Sequence, residues 1–124
     1  MASWNSTERR LLNSLNTPRK IQDFLDGAKY NIHNFTHSPR GVISKRTAHC
    51  FDGALFGAAA LSFHGFPPLL VDLRANEFYD DHVLAVFRMN GLWGAVAKSN
   101  FTGCRYRDPV YRTIRELVMS YFHI

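Results

Sequence analysis

Cysteine is scarce in this chain of 124 residues, which holds only Cys50 and Cys104. Two thiols do not make a disulfide framework, so both are expected to be reduced. Long apolar runs are lacking as well. The longest, Ala54 to Phe63, falls far short of the ~18 residues that span a bilayer, which predicts no membrane partner. Residues 1–8 carry no apolar stretch behind a basic start. A secretory leader is therefore not expected, and a cytoplasmic location is. No Cys-x-x-Cys pair occurs, and His49, Cys50, His82 and Cys104 lack the spacing of a zinc ligand set. No glycine-rich stretch has the pattern of a phosphate loop. Neither a metal nor a cofactor is expected.

What is present suits one folded domain. Hydrophobic residues make up 46% and charged residues 20%, with a net charge of +5. That composition excludes a disordered chain and permits one sizeable core. The basic residues are spread along the sequence, so a solvated surface is expected rather than a nucleic-acid patch. The interleaved Tyr106–Arg112 stretch is the one place where stacking on single-stranded nucleic acid comes into question. Residues 1–16 are polar and read as an arm, with at most a short helix near Leu11–Leu15; residues 17–124 read as a single domain.

Thr17-Pro18 predicts a helix start, with Ile21, Phe24 and Leu25 inward and Gly27 as its stop. Asn31 to Gly41 has the composition of a loop. A second helix is expected from Thr47 as N-cap, with Cys50 at N3, apolar on nearly every side from Ala54 to Phe63 and ended by Gly65. Gly53 and Gly57 share one face, where another chain segment could approach closely. Leu69–Leu73 reads as a strand and Asn76–Asp81 as a polar loop. His82–Met89, Asn90-Gly91 and Leu92–Ser99 predict a β-hairpin on a two-residue type I′ turn. Asp108-Pro109 predicts a C-terminal helix with Val110, Ile114, Leu117, Val118 and Tyr121 on its apolar face. The chain is still apolar at residues 121–124, which suggests a docked terminus, a homodimer or a longer polypeptide.

Chemistry enters with Cys50. A thiol reacts as its thiolate, and the unpaired N–H groups and positive end of a helix favour that anion. A histidine from elsewhere would supply the proton transfer. The hairpin register pairs residues whose numbers sum to 181, which sets His82 opposite Ser99 and Asp81 opposite Asn100. Ser99 is the direct cross-strand neighbour of His82. Asn100 is the better group to orient an imidazole, but needs a bulge or a strand-end twist to reach it.

Cys50 at a helix head, the apolar helix to Leu61, Gly65-Phe66-Pro67 before a strand, Asp81-His82-Val83 and Asn90-Gly91-Leu92-Trp93 resemble the transglutaminase-like core of the papain-like thiol enzymes. The resemblance spans about residues 17–122 and is specific over about 47–101. It implies an α+β fold, with a buried Cys-bearing helix on a small antiparallel sheet and flanking helices. It implies a cysteine peptidase or acyl transferase acting on a peptide or protein amide through a thioester. Carried onto this chain, Cys50 would be the nucleophile, His82 the base, Asn100 or Ser99 the orienting group, and the Cys50 N–H an oxyanion donor. The sequence departs from the family at Leu84, where an aromatic is common, at Ala97, where aspartate is usual, and at His49, where a small or acidic residue is usual. The missing aspartate motivates an alternative, a non-catalytic binding module on the same fold.

Overall fold

The computed structural model describes residues 3–31, 35–73 and 82–122. The expected loop Asn76–Asp81 lies outside them. The chain begins with α1 (Ser6–Ser14), α2 (Pro18–Gly27), β1 (Lys29–Tyr30), α3 (Pro39–Lys45) and β2 (Thr47–Ala48). It continues with α4 (Cys50–Phe63), β3 (Leu69–Leu73), β4 (His82–Met89), β5 (Leu92–Val96), β6 (Arg107–Tyr111) and α5 (Ile114–Met119). Strands β3-β4-β5-β6 form an antiparallel sheet in that order, and β1 pairs in parallel with β2. The class is α+β. Among the described residues, no helix is long and apolar enough to cross a membrane.

Two cores lie on the two faces of the sheet. Ala85, Phe87 and Val96 point to the face covered by α4, where Phe56 and Leu61 meet Leu12, Ile21, Leu25 and Val42. Leu73, Leu84, Val86, Ala95 and Ala97 point to the other face, under Leu117 of α5 and Tyr121. Burial of side chains as large as Phe56 and Phe87, both 1% exposed or less, is worth about 1.5–3 kcal/mol each.

Local signals explain most boundaries. Thr17 accepts from the Lys20 N–H and Pro18 stands at the first helical position, so α2 starts where the sequence predicts. Asn90 and Gly91 take φ of 53° and 80°, the left-handed pair that a type I′ turn needs. The expected register holds from Met89↔Leu92 to Ala85↔Val96. Gly53 and Gly57 admit close approach: a Cβ on Gly53 would lie 2.4 Å from Lys98 Cβ, and one on Gly57 would lie 3.2 Å from Ala85 Cβ.

Four expectations are corrected. The polar arm contains α1, because Asn5 and Glu8 close a reciprocal capping box and Leu12 and Leu15 are buried. Glu8 is further held by Arg40 Nε at 2.6 Å. Part of the expected 31–41 loop is α3, capped by Ser38 with Pro39 behind it. Asp108-Pro109 starts no helix; it lies in β6, an edge strand that tolerates proline, and Thr113 caps α5 instead. Val110, expected inward, is 61% exposed. Finally, Thr47 does not cap α4. It belongs to β2, and His49 is the N-cap, which puts Cys50 at N1 rather than N3.

Candidate functional site

The head of α4 is wired by side chains. His49 Nδ1 accepts from the N–H groups of Phe51 at 3.1 Å and Asp52 at 3.5 Å, filling the role usually taken by serine or aspartate. With Nδ1 accepting, the ring proton sits on Nε2, which faces Thr36 Oγ1 at 3.5 Å. Asp52, fully buried, accepts from the His49 N–H through Oδ1 at 2.5 Å and from the His37 N–H through Oδ2 at 3.1 Å. His37 in turn reaches Thr47 Oγ1 with Nε2 at 3.1 Å. One carboxylate thus pins both the helix start and the segment that crosses it.

Cys50 is half-buried at this head. Backbone hydrogen bonds from Val83, Phe51 and Cys50 itself favour its thiolate. Burial outweighs them and, with the nearby Asp52 charge, pushes the thiol above its ordinary value. The resting sulfur is therefore a thiol set among donors suited to an anion.

The Val83 amide is available because β4 and β5 part company. Their ladder ends at Ala85↔Val96. Beyond it, Ala97 gives its N–H to Gln22 Oε1 at 2.9 Å and accepts from Gln22 Nε2 at 2.8 Å. Lys98 follows β5 away from the sheet. It is buried, its Nζ donates to Leu25 O at 2.7 Å and Ala28 O at 2.5 Å, and it thereby caps the C-terminus of α2. Past the last β4–β5 pair, a backbone hydrogen bond from Val83 of β4 reaches the Cys50 sulfur.

The imidazole of His82 is elsewhere. His82 pairs with Leu73 and alternates with Leu84 and Val86, so its side chain belongs to the face of α5 rather than that of α4. Its Nε2 bonds the Cys104 carbonyl oxygen at 2.7 Å, and its ring meets Tyr121 edge-on, with centroids 5.7 Å apart. Burial lowers its pKa, the Cys104 bond opposes that, and the Arg107 charge adds to the lowering. Ser99 Oγ accepts from the Phe101 N–H at 3.0 Å, while Asn100 is exposed. Once β5 turns to Gln22, Ser99 and Asn100 no longer follow the expected register. The structure thus brings Cys50 to the residue after His82, but does not gather Cys50, His82, Ser99 and Asn100 into one hydrogen-bonded set. Asp81 lies outside the described residues.

The functional surroundings include residues that the sequence reading missed. Asp52 had a readable signal, three positions after the capping His49. Gln22, Lys98 and Tyr121 had none, since their roles depend on long-range contacts. Among the described residues, no group of three or more His, Cys, Asp or Glu side chains is placed to hold a metal ion. A depression of about 360 Å³ lined by Asp23, Phe24, Gly27, Ala28 and Arg46 includes none of the predicted site residues.

Comparison with known proteins finds no family model that matches the chain and no match among curated proteins.

Proposed function

We propose that Cys50 is the reacting group of thiol-dependent acyl chemistry on a peptide or protein amide, carried by a fold of the transglutaminase-like, papain-like kind. The observation that carries this reading is the half-buried Cys50 at the first position of α4, where backbone hydrogen bonds from Val83, Phe51 and Cys50 itself favour its thiolate. Such donors stabilise a thiolate, and the same backbone groups suit the oxyanion that forms when sulfur attacks a carbonyl. The attack makes a carbon–sulfur bond. Collapse of the tetrahedral intermediate expels the amine, which takes a proton, and leaves a thioester for water or a second amine to resolve. His82 is the group assigned to proton transfer, with Asn100 or Ser99 to orient it, and this requires the ring to leave Cys104. Two cysteines outside any disulfide and the demand for a reduced nucleophile favour the cytoplasm as its setting.

A second reading, a non-catalytic binding module, is favoured by the His82–Cys104 bond and by the burial that keeps the thiol protonated. Turnover separates the two. Fluorogenic peptide amides, with and without a primary amine acceptor, should be cleaved or transferred by the protein and not by Cys50→Ala. Equal rates for the two proteins would overturn the catalytic reading.

A further inference from the structure

We infer that the loop from Ser99 to Arg107, locked by Tyr121 and Arg107, is an autoinhibitory latch that holds His82 on the face of the sheet away from Cys50. The inference rests on the reading of Cys50 as the reacting group and adds its regulation.

The loop is gripped in an unusual way. Four consecutive carbonyls, from residue 103 to residue 106, each accept from a side chain. Arg107 takes Gly103 O at 2.7 Å and Tyr106 O at 3.0 Å, His82 takes Cys104 O at 2.7 Å, and Tyr121 takes Arg105 O at 2.5 Å. Arg105 reaches back to Ser99 O at 2.9 Å, closing the loop on itself. Arg107 is fixed in turn by Ser120 Oγ at 2.9 Å and stacks over the Tyr121 ring at 4.0 Å from its centroid. The segment after α5 therefore carries the lock.

Of the three donor side chains, His82 comes from β4, an inner strand of the sheet, whereas Arg107 opens the edge strand β6 and Tyr121 follows α5. Release of His82 frees the Cys104 carbonyl, which the loop otherwise presents to the ring. The strand end also permits movement. His82 is the first residue of β4, and β4 has no ladder partner in β5 before Ala85. An imidazole swung around that end comes to the side of β4 where a Val83 backbone hydrogen bond already reaches the Cys50 sulfur. No β4–β5 pair has to break, and only the terminal Leu73↔His82 pair of the β3–β4 ladder opens. A partner or substrate that loosens the segment 99–107 would thus switch the thiol on.

The test reads Cys50 alkylation by iodoacetamide at pH 7, with peptide mapping to separate it from Cys104. In the wild-type protein His82→Ala should change the Cys50 rate less than about twofold. Tyr121→Phe, which removes one grip, and Arg107→Gln, which removes others, should each raise it about fivefold or more. Adding His82→Ala to either should abolish the gain. The latch is overturned if neither variant accelerates alkylation, if the gain survives His82→Ala, or if His82→Ala already slows the wild-type protein severalfold. Peptide-amide turnover separates the two claims. His82-dependent gains without turnover in any variant would leave the latch standing and sink the acyl reading. Turnover that needs Cys50 and His82 equally in wild-type and loop variants would do the reverse.

Discussion

Gln22 and Ala97 pair as two strands would, with the side-chain amide of one meeting both backbone groups of the other at 2.8 and 2.9 Å. The contact lies just beyond Val96, the last β5 residue that pairs with β4. Gln22→Met keeps the volume but leaves a buried N–H and C=O without partners, at about 1–3 kcal/mol each. Urea unfolding should show a loss of about 2–4 kcal/mol with an unchanged slope. A loss below ~0.5 kcal/mol would mean that Ala97 finds other partners.

Close approach at Gly53 makes a second expectation. The Cβ of Gly53→Ala would lie 2.4 Å from Lys98 Cβ, with both residues buried. Overpacking of this kind costs about 1–3 kcal/mol. Gly27→Ala, at a helix position with nothing within 4 Å, is the control and should be neutral or gain up to ~1 kcal/mol. Thermal unfolding of both variants checks the contrast.

Acid should weaken the fold in two windows. His82 binds its proton less readily folded than unfolded, so stability is full above about pH 6.5 and falls as pH drops through its lowered folded value. His82→Gln should remove that slope from urea unfolding measured between pH 7 and 5. Glu8 is held below the usual carboxylate range first by its hydrogen bonds from Arg40 and Asn5. Its contribution is present above about pH 4.5 and is lost as pH falls through its folded value, so Glu8→Gln should flatten the lower window only.

The α+β class, α2 and the β4–β5 hairpin were legible because local patterns there agree with the tertiary structure. Thr17-Pro18, Asn90-Gly91 and the apolar run after Ala54 each act within a few residues. The failures came where two local signals compete. Asp108-Pro109 satisfies a helix start and an edge strand equally well, and the sheet decides. Thr47 and His49 both offer a cap, and the pairing of β2 with β1 removes Thr47. The place of Cys50 in the first turn of α4 was readable. The direction of His82 was not, because strand alternation assigns a face only once the register with β3 is known.

The thiol itself gives a direct expectation. Burial raises the Cys50 pKa despite the backbone hydrogen bonds, so its alkylation at pH 7 should be slower than that of free cysteine and should climb only above the ordinary thiol range near pH 8.5. A rate at pH 6 exceeding that of free cysteine would show a thiolate already formed at rest.

The acyl thioester is the species on which the account turns. The protein is exposed to a p-nitrophenyl acyl ester at neutral pH, quenched in acid, and mapped by mass spectrometry. The acyl mass should appear on the peptide containing Cys50 and vanish in Cys50→Ala. Acylation confined to Cys104 or lysines, unchanged by that substitution, would contradict the assignment of Cys50 as the reacting group.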